Sequence, residues 1–210
     1  AAAARAAFDA ATAEAPLNVV LVGRDTALLA NVGALLGAEL GYTPLSTTEL
    51  LAGVANMPVE ELVQAQGVDA ALAGEGSVFE ALSTQIRLVV STWGEGATQR
   101  ADEWRWLHGG VVVHVTTGEP SEHAALMSSR ADCEARHALG ASPEEVLPAV
   151  FDAMAGAVGA NEELVKKKTM YIKFGCRGDW PELKPPGWDP SKPDEIDPYL
   201  PKNQRSGAGG

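Results

Sequence analysis

The chain has 210 residues, 46% of them hydrophobic, and a formal net charge of -12 at pH 7. This length can bury one substantial core, and no apolar run reaches the eighteen or more residues that a membrane-spanning helix needs, so we expect one domain with tails and no transmembrane segment. The charge is uneven, since residues 1–164 contain no lysine and carry -15 whereas residues 165–210 carry +3. Nucleic-acid binding depends on clustered lysine and arginine, so an acidic body disfavours it.

The first sixteen residues are rich in alanine and do not begin with methionine. They resemble the remnant downstream of a cleaved targeting peptide. We therefore expect residues 1–16 to form an N-terminal arm, and the protein to be imported into an organelle.

The body begins with a strand and a helix. Residues 18–23 form a short apolar run that ends at Gly23, as in a buried parallel strand, and Asp25 or Thr26 can cap the helix that runs to Gly41. Two further β-branched runs, "RLVVST" and "GVVVHV", predict strands at 87–92 and 110–115, with helical segments between them. The pattern predicts an α/β fold with a parallel sheet that is covered on both faces.

The composition changes after the last predicted helix, which opens with a capping box in "SPEE" and ends near residue 164. "TMYIKFG", residues 169–175, predicts one short strand, and proline, glycine and charge dominate from there on. We predict that residues 165–210 form an extended tail that other proteins hold. The tail's aromatic and arginine side chains are the candidate partner-binding residues, because such side chains contribute disproportionately to interfaces: Tyr171, Arg177, Trp180, Trp188 and Tyr199.

The potential metal ligands are scattered. Cys133 and Cys176 have no cysteine or histidine at ligand spacing, so two reduced thiols are favoured over a disulfide. The four histidines show no ligand spacing either, and we expect them at the surface or at strand ends. We predict no metal site and no cofactor.

Four segments occur in the order that the shikimate kinase family shows. They are "LVG…NVGALLGAELGY", "AGEGSVF", "LVVSTWGEGA" and "WRWLHGGVVVHV", and they resemble the phosphate loop with its flanking strand and helix, the Gly-Glu-x-x-Phe segment, the glycine-rich turn, and the strand that follows. Residues 17–158 therefore resemble this family, and more closely its inactive shikimate-kinase-like branch in plant and algal plastids. The resemblance implies a P-loop kinase-like three-layer fold for residues 17–164, with a central parallel sheet.

The resemblance also indicates where the family's ligand-binding residues would stand. The second glycine, the lysine and the hydroxyl of the phosphate loop fall on Leu28, Leu29 and Ala30, none of which can cradle a phosphate or ligate magnesium. The two carboxylates of the Asp-x-Asp segment fall on Ser46 and Thr48.

The substrate side of the cleft departs from the family in the same way. The shikimate-binding arginine falls on Glu80, which reverses the charge. Trp93 and Glu95 intrude into the glycine-rich turn, where a tryptophan fills a cavity rather than lining it, and no lid motif surrounds Arg130 or Arg136.

We therefore expect a non-catalytic protein that serves as a structural or assembly subunit of a larger plastid complex. The family branch favours a photosynthetic membrane assembly, and hence the stroma or the stromal face of the thylakoid after removal of a transit peptide. The alternative is a ligand or nucleotide sensor, or a residual small-molecule kinase, that uses the remodelled cleft.

Overall fold

A parallel sheet of five strands, in the order β2-β3-β1-β4-β5, forms the centre of the computed structural model. The strands are β1 (Asn18–Val22), β2 (Thr43–Ser46), β3 (Leu88–Ser91), β4 (Gly110–Thr116) and β5 (Cys133–Arg136). The structure describes residues 2–13, 16–94 and 96–174, except for the side chains of residues 101 and 170–174. The predicted parallel sheet is confirmed.

Eight helices are described. They are α1 (Ala2–Ala11), α2 (Thr26–Leu40), α3 (Thr47–Ala55), α4 (Val59–Gln66), α5 (Val68–Leu82), α6 (Glu122–Arg130), α7 (Pro143–Ala160) and α8 (Glu162–Phe174). Two 3-10 helices, Ala97–Gln99 and Ala101–Leu107, join β3 to β4. None of the helices in the described residues is long and apolar enough to cross a bilayer.

The alternation of side chains along β1 divides the core between the two faces of the sheet. Val19 and Leu21 pack with apolar residues of α1, α2 and α7 on one face, whereas Val20 and Val22 pack with α5, the 3-10 helices and α6 on the other. A smaller third cluster lies among α3, α4 and α5. β1 is buried at every position, because both faces of the sheet are covered in this three-layer arrangement.

The caps of helices α2 and α7 match the sequence prediction. Asp25 caps α2 through its side chain, and Gly41 ends that helix in the left-handed region at φ 68°. Ser142 and Glu145 form a complete capping box at the start of α7.

The N-terminal segment belongs to the core. Residues 2–11 are helical, α1 packs along α7, and Phe8 is fully buried in the cluster that covers the sheet. The predicted arm is thus a helix here rather than an extended strand of chain, because one large apolar residue anchors its alanine-rich face.

The two strands that the residue pattern does not single out, β2 and β5, are the edges of the sheet. Proline disfavours a central strand, and β2 contains Pro44, which an edge position tolerates. The sequence of β5, "CEAR", carries two charges and has one fully buried residue, Ala135. Edge strands need less apolar surface than central ones, so their sequence signal is weaker.

The predicted strand at 169–175 is wrong, because residues up to Phe174 continue helix α8. The acidic first turn of α8 pairs with the basic run, since Lys166 lies 3.3 Å from Glu163 and 4.0 Å from Glu162. The boundary predicted between residues 164 and 165 therefore falls inside a helix. Of the proposed anchors, Tyr171 lies in α8 with only its backbone described, and Arg177, Trp180, Trp188 and Tyr199 lie outside the described residues.

Candidate functional site

The carboxyl ends of the strands are the expected place for a site in a parallel sheet. The loops after β1 and β3 approach each other so closely there that a Cβ atom on Gly94 would collide with the backbone oxygen of Arg24. Gly23 is equally confined, because a Cβ on it would meet the backbone oxygen of Val115 on β4. Both glycines are required by backbone contact rather than by a ligand.

Helix α2 begins three residues after Gly23, which leaves no room for a phosphate loop. The carboxylate of Asp25 accepts a hydrogen bond from the backbone N–H of Leu28 at 2.9 Å, and its backbone oxygen accepts one from the N–H of Leu29 at 2.9 Å. A helix N-terminus attracts anions because its first N–H groups are unsatisfied. Here an internal carboxylate already occupies that position.

The side chains at the degenerate positions turn toward the protein. Leu29, at the lysine position, is 1% exposed and belongs to the main core cluster, and Leu28 packs against that cluster from a half-buried position. Ala30 is half-buried on the same helix. These residues contribute packing where the family would hold phosphate and magnesium.

The turn after β3 is tied to the start of α2. The N–H of Gly94 donates to the hydroxyl of Thr26 at 2.9 Å, and the N–H and hydroxyl of Thr92 both donate to the backbone oxygen of Leu21, at 3.1 and 3.2 Å. The two loops that would flank a phosphoryl acceptor are therefore joined directly to each other.

A buried carboxyl group, Glu75 on α5, holds this turn from the other side. One of its oxygens accepts from the hydroxyl of Thr47 and from the N–H of Trp93 at 2.9 Å, and the other accepts from the N–H of Ala97 at 2.6 Å. Burial raises the pKa of Glu75, while these hydrogen bonds oppose the rise. The side chain is 0% exposed, so it is a structural tie and not a group that meets solvent or substrate.

The residue-by-residue prediction did not identify Thr47 and Glu75 as structural residues. Glu75 is the one acidic residue on a helix face that also carries Leu72 and Phe79, and this position within an apolar stripe is the signal that indicates burial. Thr47 lies between the two degenerate positions, Ser46 and Thr48. Ser46 caps α3 and the hydroxyl of Thr48 is buried without a hydrogen bond, so neither is in a position to replace a metal-binding carboxylate.

The structure places Glu80 on the solvent side of α5, where it is exposed. It follows Glu75 by five residues, which is a rotation of about 140° around the helix axis. Phe79, four residues after Glu75, takes the inward position and is 1% exposed. A buried phenyl ring and not a reversed charge thus occupies the inner face of this helix next to Glu75.

Trp93 lies half-buried at the turn and packs against the third apolar cluster, around Leu51 and Leu62. It fills space between the helices, as the sequence predicts, while Glu95 lies outside the described residues. Trp104 is 1% exposed and donates its indole N–H to the backbone oxygen of Thr98 at 2.9 Å, so it packs within the body.

The arginines considered for a lid are separated. Arg130 ends α6, and Arg136 ends β5, where its guanidinium lies 3.2 Å from the carboxylate of Glu134. A charged lid needs its arginines on a segment that can close over a ligand, and Arg136 is instead fixed to the edge strand.

The sequence predicts histidines at the surface or at strand ends, and His108 is half-buried just before β4, whereas His114 is buried within that strand. His114 lies inside β4 and is 2% exposed, and burial lowers its pKa although Glu134 opposes the change. Burial also lowers the pKa of His108 to about 3, with Lys168 adding to the effect. Burial raises the pKa of the Cys133 thiol to about 12, so this free cysteine stays protonated and unreactive.

A cavity of about 320 Å³ opens beside the start of α2. Its walls come from the loop after β1, the first turn of α2, the end of β4 and the loop between β5 and α7. Among the described residues, no group of three or more His, Cys, Asp or Glu side chains could hold a metal ion.

Comparison with known proteins identifies this architecture. The family model described as shikimate kinase matches residues 30–147, a stretch that starts just after the remodelled loop. The crystal structure of shikimate kinase from Aquifex aeolicus has the same fold, with a TM-score of 0.57 and 17% identity over 67% of this chain and 97% of that one.

Curated relatives agree. A protein of Arabidopsis thaliana named "Probable inactive shikimate kinase like 2, chloroplastic" is 34% identical over 191 residues, which cover 83% of this chain and 49% of that protein. A shikimate kinase of Trichormus variabilis is 32% identical over 97 residues, 46% of this chain and 53% of that protein. The chain spans about half the length of these relatives. It belongs to the shikimate kinase family.

Proposed function

We propose that this chain is a non-catalytic member of its family that works in a plastid through contacts with other proteins. The observation that carries the proposal is the closed start of α2. The N–H of Leu28 is bonded to the Asp25 carboxylate and that of Leu29 to the Asp25 backbone oxygen, and Leu29, at the position predicted for the lysine, is buried in the core. Phosphoryl transfer relies almost wholly on positioning and charge neutralisation, so a chain without these groups has no means of performing it.

The names of two kinds of relative support both the non-catalytic role and the plastid location. The Arabidopsis relative is called probably inactive and chloroplastic, and its similarity extends over 83% of this chain. The relatives named shikimate kinase match less than half of the chain. We propose the same plastid location here, in the stroma or at the stromal face of the thylakoid.

Contact with partners is assigned to residues 175–210. This segment holds Arg177, Trp180, Trp188 and Tyr199, the side-chain types that dominate interface energetics. It follows directly on α8, whose Lys168 is buried against the sheet, so a partner that holds the segment also holds the body. The proposed partners are protein subunits of a larger assembly.

Titration calorimetry tests the catalytic half. ATP, ADP and shikimate are titrated into the protein with and without Mg²⁺, and a coupled ADP-release assay is run on the same sample. The shikimate kinase of Trichormus variabilis serves as the positive control. We expect no heat of binding and no ADP release; saturable binding of any of the three, or turnover, would contradict the proposal and favour a residual kinase or a nucleotide sensor.

Truncation tests the partner half. A chain that ends at Phe174 keeps α8 complete, so its melting temperature should equal that of the full chain while co-purification with plastid proteins is lost. Full-length Trp180→Ala/Trp188→Ala is the matched variant, and it should lose the same partners. Unchanged co-purification by the truncated chain would refute the assignment to this segment.

A further inference from the structure

The cavity beside α2 has the size and position of a small-molecule site. Its volume of about 320 Å³ is at the lower end of the range of roughly 300–1,000 Å³ for such sites. It lies at the carboxyl edge of the sheet, where open α/β folds bind ligands. The groups that line it decide which ligand it accepts.

His114 lines this cavity, and a chain of two hydrogen bonds determines which of its ring nitrogens carries the proton. Its Nδ1 lies 3.1 Å from the hydroxyl of Ser128 on α6, and Ser128 hydrogen-bonds the carboxylate of Glu134 on β5. A carboxylate only accepts, so Ser128 donates to Glu134 and its oxygen accepts from Nδ1–H of His114. The proton is therefore on Nδ1, and Nε2 of His114 is a hydrogen-bond acceptor.

A second histidine of the lining, His137, has the same tautomer when its ring is neutral. Nδ1 of His137 lies 2.9 Å from the backbone oxygen of Ala138, and since a carbonyl can only accept, Nδ1 carries the proton. Nε2 of His137 is then an acceptor as well. Burial keeps the pKa of His114 below its usual value, so that ring is neutral near neutral pH.

The charges of the lining favour a cationic ligand over an anionic one. The lining contains two carboxylates, Asp25 and Glu119, and one guanidinium, Arg24, so its formal charge is -1 when both histidines are neutral. The helix N-terminus that would offset a phosphate is already capped by Asp25. Leu28, Leu29 and Leu139 supply an apolar wall.

We propose that this cavity binds a small organic ammonium ion whose nitrogen donates to the acceptor nitrogens of His114 and His137 and whose apolar body lies against the leucines of α2. Acceptors and a net negative charge stabilise such a cation, and they repel the phosphates of a nucleotide. This inference goes beyond the proposed function and does not depend on it, since a protein that binds no nucleotide can still bind an amine here.

A matched pair of probes tests the charge. Phenethylamine is the cation, and 3-phenylpropionate is the anion with the same phenylethyl body. Each is titrated into the full chain to about 10 mM, because a nine-atom ligand of ordinary efficiency binds with a Kd on the order of 1 mM. The readout is the Cε1–Hε1 signal of each histidine in a ¹H–¹³C spectrum, with His108, outside the cavity lining, as internal reference.

The expected result is saturable shifts of the His114 and His137 signals with phenethylamine and none with 3-phenylpropionate. Glu119→Gln should raise the Kd several-fold because it removes a negative charge from the lining. Ser128→Ala should raise it less, because Glu134, 3.7 Å from Nδ1 of His114, can still accept the Nδ1–H. Glu122→Gln and Ser129→Ala are the controls, because neither side chain lines this cavity.

Three results would overturn the inference: no saturable shift with the cation, equal binding of the anion, or equal effects of the Glu119 and Glu122 substitutions. All four substituted positions are exposed, so the variants should fold, and an unchanged amide spectrum outside the cavity verifies it. ATP titration of the same samples separates this test from that of the proposed function.

Discussion

Lys168 on α8 forms an ion pair with Asp132, which precedes β5, at a distance of 2.7 Å between Nζ and Oδ2. The two side chains are 4% and 14% exposed, and the ammonium also donates to the backbone oxygens of His108 and Gly110. The pair connects α8 to the amino ends of β4 and β5, whereas the cavity lies at the carboxyl ends of the strands. Because of this ion pair, Lys168, the last of the three consecutive lysines at 166–168, is not available to bind an acidic partner.

Replacing Lys168 with methionine should lower the free energy of unfolding by about 3–5 kcal/mol, because the carboxylate of Asp132 would be left buried without its cation. The double variant Lys168→Met/Asp132→Asn should recover part of the loss. Lys166→Met is the control, since Lys166 is 64% exposed and pairs only at the surface. Urea unfolding measures all three, and equal effects of the two single substitutions would contradict the assignment.

The cap of α2 can be tested without touching the core. Asp25→Ala removes the acceptor for the N–H of Leu28 and should cost about 1 kcal/mol in the free energy of unfolding. Asp25→Ser keeps a capping oxygen and should lose much less. If both variants unfold at the urea concentration of the parent chain, the carboxylate does not hold the helix start.

Restoring the lysine alone should not restore the kinase. Leu29→Lys puts a charge at a site that is 1% exposed and should destabilise the fold by at least about 3 kcal/mol, without conferring binding of MgATP. Leu28→Lys, at a half-buried position beside the cavity, should cost less because its ammonium can reach solvent. Thermal melts measure the loss of stability and ATP titration measures nucleotide binding. ATP binding by Leu29→Lys would contradict the prediction and show that the cleft can still hold a nucleotide.

The central strands and the capped helices could be predicted from the sequence, because local patterns encode them. β1, β3 and β4 are each centred on a run of valine and leucine, and Asp25 and Ser142 precede helices at cap positions. The edge strands and α8 could not, since their signals are weak or misleading. The β-branched and aromatic residues after Lys168 are typical of a strand, but the salt bridge of Lys168 and the acid–base pairs before it stabilise a helix.

The sequence predicts which family positions have changed in the candidate site, but not which contacts the chain makes there. The spacing from Gly23 to Gly33 places Leu28, Leu29 and Ala30 at the phosphate-loop positions. That the chain closes the loop with Asp25 depends on where α2 starts, which a pattern fixes only to within a turn. The Glu75 network and the hydrogen-bond chain of His114 each join residues far apart in the sequence, so no local window contains them.

The half-buried histidine His108 makes stability depend on pH on the acid side. Its pKa is about 3 in the folded chain, against 6.5 for an ordinary histidine, because burial and the nearby Lys168 disfavour the charged ring. As pH falls below 6.5 the unfolded chain takes up a proton that the folded chain does not, so stability falls from pH 6.5 toward pH 3. His108→Gln should flatten that fall in urea titrations at several pH values, and a variant with the same fall as the parent chain would contradict the assignment to this ring.

Glu75 should give a slope of the opposite sign. Burial raises its pKa above 4.5, so the folded chain retains a proton that the unfolded chain loses, and stability falls as pH rises through the interval that begins at 4.5. Glu75→Gln should remove this slope. It should also cost about 1–3 kcal/mol at every pH, because its amide nitrogen would meet the N–H of Ala97, another donor.

The control for Glu75 is Glu80→Gln, which removes one negative charge from the exposed face of the same helix. Unfolding free energies are measured between pH 4.5 and 8 in the parent chain and both variants. They distinguish the effect of removing one negative charge from the effect of replacing the buried carboxyl group. If Glu75→Gln and Glu80→Gln change the pH profile alike, the slope comes from the net charge of the acidic body and not from the buried carboxyl group that ties the β3 turn to α5.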